Sequence, residues 1–348
     1  MSSTGVPVSG DALPRAVARA AGVEVGAVGD LRPASGGDVS RAFTAVVDGQ
    51  RCFVKHLDPP VPGLLSAEAS SLRWLADVGT AADPPAEPGA VSLPRVVGVA
   101  DVVDGDDTPG RRVGWAADVV DGDDTHRRRV GRVADVRDGD DTHGGVAVLV
   151  LAIVEEGRPA ADHDERLGRG LAAVHHAGAD GFGAPWAGFV GRLPQPNDPT
   201  ETWAAFLGSR RLWPTARIAE ERGELPPGTL DALEGLIDRL PDLVGPPESP
   251  ARLHGDLWAG NAMVGPDGGP VLVDPASYGG HREVDLAMMQ LFGGFGPAVV
   301  AAYDEVFPLA DGHTDRVALY QLHPLLAHAA MFGGGYGRRA RATIDRYA

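Results

Sequence analysis

The feature that most constrains this chain is a pair of motifs in its last third, both rich in oxygen-bearing side chains. The first runs from His254 to Asn261 and reads HGDLWAGN, and the second, VLVDP, runs from Val271 to Pro275. Together they place an aspartate, an asparagine five residues later, and a second aspartate at the end of an apolar strand. This set suits phosphoryl transfer, which requires an oriented hydroxyl and divalent cations that bridge the phosphates.

Each residue of the set has a role that its chemistry permits. Asp256 can accept the hydrogen bond, and then the proton, of an attacking hydroxyl. Asn261 and Asp274 can supply the hard oxygen ligands that magnesium prefers. The segments 262–264 and 271–273 predict a short hairpin that brings these two ligands together. Asp256 alone could cap a turn and Asp274 alone could end a strand, but the combined spacing favours a catalytic set.

Lys55 is the only lysine among the 31 lysines and arginines of the chain. It follows an apolar strand segment, and kinases use a strand lysine to reach phosphates and a helix glutamate to hold it. Glu68 is the candidate partner, although an acid in the first turn of a helix also favours the helix dipole. Gly36 and Gly37 form a preceding turn that could lie at the phosphates, but turns use glycine generally.

A repeat with a period of 17 residues interrupts the chain at about 100–143. The segment ADVVDGDDT begins at Ala100 and recurs from Ala117 and, with one change, from Ala134. Its aspartates are compatible with a cation site, but their spacing is not that of a calcium-binding loop. We favour the alternative, a tandem duplication that forms a solvated loop or an extended hairpin.

Hydrophobic periodicity divides the chain into two parts. Around the repeat it predicts a helix over 66–78 and strands over 42–47, 52–57, 94–99 and 146–154. After residue 157 the apolar spacing becomes helical. We therefore predict an α+β, bilobal fold with a small β-rich N-lobe over residues 1–154, which carries the repeat, and a larger helical C-lobe over 155–348.

The formal net charge of −17 and the single cysteine limit the expected partners and compartment. An acidic chain without clustered lysine and arginine is not expected to bind nucleic acid or an anionic membrane surface. Its longest apolar run, 146–154, is too short to span a membrane. Residues 1–16 lack the regions of a signal peptide and Cys52 has no cysteine to pair with, so a cytoplasmic location is expected.

In their order along the chain these features resemble the protein-kinase-like fold of small-molecule kinases. The HGD and DP motifs, in place of HRD and DFG, point to the aminoglycoside and choline kinase branch. Longer stretches are similar to the fructosamine kinase (ketosamine kinase) family. They are 36–43, 53–55, 72–75, 189–197, 253–261, 274–278, 282–288, 291–295, 303–305 and 332–336.

The resemblance to fructosamine kinases implies ATP- and Mg²⁺-dependent phosphorylation of a sugar hydroxyl in ketosamines of the fructosamine or ribulosamine type. It implies a ketosamine 3-kinase that acts in deglycation or repair, on a small-molecule or protein-bound substrate. In this family's terms Asp256 is the catalytic base, Asn261 and Asp274 are the magnesium ligands, and Lys55 with Glu68 anchors the phosphates. The hinge whose backbone contacts adenine corresponds to Leu151, Ala152, Ile153 and Val154.

Other residues near the motifs have less specific interpretations. Trp258 and Tyr278 flank the catalytic loop and could stack on the sugar, although core packing explains such aromatic residues equally well.

Asp285 is expected to brace the loop through its backbone, and Arg282 and Glu283 to pair with each other or with the loop. His175 and His176, on an apolar helix, are expected to be packed or solvent-facing.

Two alternative functions stay open at this point. One is phosphorylation of another small hydroxylated substrate, such as an aminoglycoside or a choline-like amine. The other is a nucleotide-binding pseudokinase, although the intact set of Lys55, Asp256, Asn261 and Asp274 favours an active enzyme.

Overall fold

In the computed structural model of the protein, residues 12–35, 39–80, 91–103 and 145–347 are described. Most of the repeat lies outside the described residues, as do Gly36 and Gly37 of the predicted turn. The solvated loop and the cation site considered for the repeat therefore stay predictions.

The N-terminal part contains a five-stranded antiparallel sheet in the order β1-β2-β3-β5-β4. The strands are β1 Val28–Ala34, β2 Arg41–Val47, β3 Gln50–Leu57, β4 Val96–Val103 and β5 Gly145–Ala152. The helices are α1 Ala12–Ala21 and α2 Leu64–Ala76. The four predicted strands and the predicted helix are confirmed as β2, β3, β4, β5 and α2, with ends that differ by a few residues.

Helices cover both faces of this sheet. Successive residues of a strand point to opposite faces, so Val148 and Val150 of β5 pack with α1 whereas Leu149 and Leu151 pack with α2. Because both faces of β5 are buried, its sequence is a continuous apolar run and does not alternate.

The same alternation fixes the direction of the only lysine. Lys55 shares a face of β3 with Phe53 and Leu57, which pack on the α2 side of the sheet. Its side chain therefore points towards the helix that carries Glu68.

The C-terminal part is mainly helical. Its helices are α3 His163–His176, α4 Trp203–Phe206, α5 Trp213–Glu221, α6 Thr229–Leu243, α7 Glu283–Phe292, α8 Pro297–Val306, α9 His313–Tyr320, α10 Leu322–Phe332 and α11 Tyr336–Tyr347. A π-helical turn, Leu207–Leu212, joins α4 to α5. The short strands are β6 Gly188–Val190, β7 Leu193–Gln195, β8 Ala251–Arg252, β9 Ala262–Val264, β10 Pro270–Leu272 and β11 Gly279–Gly280. They pair as β6 with β7, β8 with β11, and β9 with β10.

The predicted α+β class, with a small β-rich lobe and a larger helical lobe, is confirmed by this arrangement. The lobe boundary between residues 154 and 155 stays a prediction. Among the described residues, no helix is long and apolar enough to cross a membrane.

Candidate active site

The catalytic-loop candidate lies between β8 and β9, and a hairpin ties its end to the second motif. β9 and β10 pair antiparallel, with Ala262 opposite Leu272. The pairing continues one step further, because the Val273 N–H donates to the Asn261 carbonyl oxygen at 3.0 Å. Asn261 and Asp274, the residue after Val273, are therefore held close together, as the predicted hairpin requires.

Asp256 and Asn261 are in direct contact within the loop. The Asn261 amide nitrogen donates to the Asp256 carbonyl oxygen at 2.9 Å and to Asp256 Oδ2 at 3.2 Å. Because this nitrogen carries all the donors of the side chain, the amide oxygen of Asn261 is the atom that could ligate a cation.

The surroundings of Asp256 favour its uptake of a proton. Burial, followed by the negative charge of Asp274, raises the pKa of Asp256 to about 7. A carboxylate with a pKa near neutrality is suited to act as a general base. The same concentration of negative charge would stabilise a bound cation.

Gly255 is required by the close approach of two backbone segments. Its φ is +84°, and a Cβ there would lie 2.2 Å from the carbonyl oxygen of Ala276. Ala276 in turn donates its N–H to the His254 carbonyl oxygen at 2.9 Å. Any side chain at position 255 would push the loop away from the segment that follows Asp274.

His254 links the loop to the end of the hairpin from a fully buried position. Its Nε2 lies 3.0 Å from the Val273 carbonyl oxygen, and the Asp256 N–H donates to its Nδ1 at 3.3 Å. Burial lowers the pKa of His254. The ring is therefore neutral, and these hydrogen bonds assign its proton to Nε2.

Asp285 of α7 holds the catalytic loop by its backbone. Its Oδ2 accepts the N–H of His254 at 2.7 Å, and its Oδ1 accepts that of Gly255 at 2.9 Å. Burial alone would raise the pKa of Asp285, but the hydrogen bond from His175 and neighbouring charges lower it, so the carboxylate stays ionised. The expected bracing of the loop by Asp285 is confirmed.

His175 extends this support, a role that its position on an apolar helix does not predict. Its Nε2 lies 3.1 Å from Asp285 Oδ2, and its Nδ1 lies 2.8 Å from the Tyr303 hydroxyl. The side chain is buried, as expected for an apolar helix, but it also orients the residue that holds the loop.

Lys55 lies between two carboxylates that come from different parts of the chain. Its Nζ is 2.8 Å from Glu68 Oε1 and 2.6 Å from Asp274 Oδ1, and only 7% of the residue is exposed. Burial alone would lower the pKa of Lys55, but the charges of Glu68 and Asp274 raise it, so the ammonium group stays protonated. The fold thus brings together the lysine, its predicted glutamate and the aspartate of the second motif.

Asp274, two residues after the end of β10, has an unusual backbone conformation. Its φ of 56° lies in the left-handed region, which aspartate and asparagine tolerate better than most side chains. The atoms near it that could ligate a metal are carboxylate and amide oxygens. Such oxygens, together with phosphate oxygens, are the ligands that Mg²⁺ prefers. Asp274 and Asn261 could therefore hold this cation, and the raised pKa of Asp256 is consistent with a place for positive charge.

The predicted hinge, residues 151–154, continues β5 into the connection between the lobes. The Ala152 N–H donates to the Arg95 carbonyl oxygen at 2.8 Å, and the Ile153 N–H donates to that of Arg51 at 3.4 Å. The neighbouring segments therefore use the N–H groups of Ala152 and Ile153, and these two donors are not free to contact adenine.

The two aromatic residues considered for substrate stacking lie in different surroundings. Trp258 is exposed on the catalytic loop, with its ring near that of Phe292. Tyr278 is only 4% exposed, its ring stacks on Phe206, and the Arg211 guanidinium lies 4.0 Å from its centroid. The suggested stacking of Tyr278 on a sugar is therefore wrong for this structure, because the ring is buried against Phe206 and Arg211 in the helical core.

Both expectations for Arg282 and Glu283, that they pair with each other or with the loop, are also wrong. Arg282 makes two hydrogen bonds to Glu248, at 2.8 and 2.9 Å, and Glu283 binds Arg316 at 2.6 and 2.9 Å. Adjacent residues at the start of a helix point in different directions, so each reaches a partner from a distant segment.

Sequence comparison relates this chain to kinases, in agreement with the arrangement of these residues. The family model for fructosamine kinase matches residues 126–348. A curated relative, a probable ketoamine kinase of Thermus thermophilus, is 33% identical over 326 residues, which are 93% of this chain and 95% of the relative.

Solved structures extend the comparison to the fold. A protein of Thermobifida fusca that carries the name fructosamine-3-kinase has a TM-score of 0.72 and 35% identity, over 97% of this chain and 99% of that one. An aminoglycoside phosphotransferase in complex with AMP-PNP and hygromycin B has a TM-score of 0.54 at 14% identity, over 92% and 94%. At that identity it is similar in fold alone, and the predicted kinase-like fold is confirmed.

Proposed function

This chain belongs to the fructosamine kinase family, and from that premise we propose that it is an ATP-dependent kinase that phosphorylates ketosamines. The proposed acceptor is the 3-hydroxyl of a fructosamine- or ribulosamine-type sugar. The glycated amine is either a small molecule or a protein side chain.

One observation supports this function most strongly, namely the meeting of Lys55 with the second motif. The lysine belongs to the sheet of the N-lobe, and Asp274 follows a hairpin that also positions Asn261 beside Asp256. The residues proposed as phosphate anchor, magnesium ligands and base thus lie close together, which supports a role in phosphoryl transfer.

The proposed reaction is a direct displacement at the γ-phosphorus of ATP. The substrate hydroxyl oxygen attacks phosphorus, the bond from phosphorus to the β–γ bridging oxygen breaks, and ADP leaves with that oxygen. Asp256 orients the hydroxyl and accepts its proton, for which a pKa of about 7 is suitable.

The other residues act on the phosphates. Lys55, held by Glu68, donates to phosphate oxygens as a compact charge. Asn261 and Asp274 would hold Mg²⁺, which neutralises the charge of the phosphates when it is bound. Neutral His254 and ionised Asp285 keep the loop in the geometry that these roles require.

A substrate panel tests the proposal. ADP release from ATP and Mg²⁺ is measured with ribuloselysine, fructoselysine, kanamycin and choline. We expect a ketosamine to give the highest kcat/KM, and NMR of the product to show phosphate at the 3-hydroxyl. A higher kcat/KM for kanamycin or choline would favour the phosphotransferase alternative. ATP binding without turnover of any substrate would favour a pseudokinase.

A further inference from the structure

Aromatic rings lie in succession from the catalytic loop outward, and we call them the aromatic series. The centroids of Trp258 and Phe292 are 6.3 Å apart, and those of Phe292 and His328 are 5.0 Å apart. From His328 the centroid distances are 5.5 Å to Phe332 and 5.0 Å to Tyr336. The series begins two residues after the proposed base and crosses from the loop to the ends of α7 and α10.

Much of this series faces solvent. Trp258 is 39% exposed, Phe292 is 40% exposed and Phe332 is 62% exposed. Among the described residues, the other large hydrophobic side chains with such exposure are Val25 and Val306, which stand outside the series. Apolar surface that is exposed together, beside a reactive site, is typical of a binding surface.

The series is fixed to the catalytic loop by close backbone approaches. A Cβ at Gly260 would lie 2.3 Å from the Trp258 ring, so this ring rests on the loop itself. A Cβ at Gly294 would lie 2.5 Å from the Cβ of Ala259, so the end of α7 is held against the same loop. The position of the rings relative to the base is therefore set by packing.

Space is left beside the two exposed phenylalanines. A Cβ built at Gly293, directly after Phe292, meets no atom within 4 Å, and the same holds at Gly334, two residues after Phe332. His328 contributes an uncharged ring, because burial lowers its pKa, although the 2.8 Å hydrogen bond from its Nδ1 to the Pro324 carbonyl oxygen acts in the opposite direction. The surface is thus aromatic and accessible at Phe292 and Phe332, with the Glu224 carboxylate at its edge beside Gly333.

We propose that the aromatic series binds the amine-side group of the ketosamine, the part of the substrate that does not react. This inference rests on the proposed function. In a ketosamine the 3-hydroxyl carbon is two carbons away from the carbon that bears nitrogen. The proposed pose has the hydroxyl at Asp256 and the cationic nitrogen at the Trp258 ring, two residues further along the loop, where a cation–π contact is favourable. The hydrocarbon attached to that nitrogen then lies over Phe292 and Phe332.

The size of the surface favours this occupant over a second copy of the chain. With an aromatic side chain taken as about 200 Å², the three exposed rings offer roughly 300 Å². A stable protein dimer buries about 800 Å² on each partner. A surface of the smaller size suits one side chain or one small molecule.

The test uses two ketosamines that share one sugar and differ only in the amine, n-hexylamine or methylamine. We expect the wild-type protein to prefer the hexylamine adduct by about tenfold or more in kcat/KM, mainly through KM, because five further methylenes contact the series. Phe332→Ala and Phe292→Ala should each lower this preference about fivefold. Val306→Ala, a change at an exposed side chain outside the series, should leave it unaltered.

Each outcome separates the two proposals. If neither adduct is phosphorylated, the proposed function fails and this inference fails with it. If both adducts are phosphorylated with equal kcat/KM, or if the phenylalanine variants keep the wild-type preference, the function stands and the aromatic series has no role in binding the amine side. Dimerisation of the wild type that Phe332→Ala abolishes, with an unchanged preference, would assign the surface to a second copy.

Discussion

The Lys55 ammonium group donates a hydrogen bond to the Asp274 carboxylate at 2.6 Å, although 219 residues separate them in the chain. This contact joins the sheet of the N-lobe to the motif that follows the catalytic loop. It also places the only lysine of the chain where a phosphate anchor would act.

Lys55→Arg should lower kcat/KM on the order of 10²-fold with little change in thermal stability. The buried space between Glu68 and Asp274 fits an ammonium group, and a planar guanidinium places its donors differently. The ADP-release assay and a thermal melt measure the two effects. Arg51→Lys, the reverse exchange at an exposed residue of the same strand, is the control and should stay active. Full activity of Lys55→Arg would mean that the site does not require an ammonium group at this position.

Asp285→Asn should lower kcat on the order of 10²-fold, because a small displacement of the loop misplaces the base. Asparagine has one acceptor oxygen, and the structure requires acceptors for the N–H groups of both His254 and Gly255. We expect KM for ATP to change little, since Asp285 contacts the backbone of the loop and is not one of the residues proposed to bind ATP. Asp304→Asn, at an exposed aspartate that also accepts a backbone N–H, is the control. Equal kcat in Asp285→Asn and the wild type would show that the bracing is dispensable.

Gly255→Ala should destabilise the protein more than Gly49→Ala does. Both glycines have positive φ, but a Cβ at Gly255 would meet the Ala276 carbonyl oxygen whereas one at Gly49 meets nothing within 4 Å. We expect a loss of about 1 kcal/mol for Gly49→Ala and about 1–3 kcal/mol more for Gly255→Ala. Urea denaturation measures the free energy of unfolding of each variant. Equal losses would mean that the loop moves freely away from the second motif.

The contribution of His323 to stability should fall as the pH is lowered from 7.5 to 5.5, whereas that of Asp256, whose pKa is raised to about 7, changes in the opposite direction. Burial lowers the pKa of His323 from 6.5 to about 3, so the unfolded chain binds a proton there that the folded protein excludes. The stability that this neutral histidine provides is complete above its unfolded pKa and is lost progressively between about pH 6.5 and 3. At pH 5.5 the loss from this one residue is about 1.4 kcal/mol. Burial lowers the pKa in the same direction at His56, His254, His281 and His328.

The variant His323→Gln should reduce this pH dependence, because glutamine does not titrate and can still donate to Gln195. His176→Gln, at an exposed residue of α3, should leave the slope as it is in the wild type. The free energy of unfolding at several pH values distinguishes them. A slope that is unchanged in His323→Gln would place the origin of the effect elsewhere.

Long apolar patterns and dense motifs could be predicted from the sequence, and weakly patterned elements could not. The uninterrupted apolar run of β5 predicts a buried strand, and α2 shows helical spacing. In contrast, α1 buries only four residues, two of them the alanines Ala16 and Ala18, and β1 is an edge strand that contains Pro33. Small side chains carry little periodic signal, and an edge strand tolerates proline and solvent exposure, so neither element has a clear pattern.

At the site, motif spacing predicts which residues meet, but it does not predict side-chain partners from distant segments. The hairpin between Asn261 and Asp274 follows from turn and strand signals close in sequence. The binding of Arg282 to Glu248, the burial of Tyr278 and the link from His175 to Asp285 each depend on packing between separate elements. Such contacts become visible only when the fold is known.

The most direct test of the central claim is the rate of phosphate transfer to a ketosamine by Asp256→Asn. The amide keeps the size of the carboxylate but cannot accept the hydroxyl proton. We predict a fall of about 10²–10⁴-fold in kcat with ribuloselysine, with ATP still bound. Asp238→Asn, at an exposed residue of α6, should keep the wild-type kcat. A kcat for Asp256→Asn within a few-fold of the wild type would contradict the assignment of Asp256 as the base.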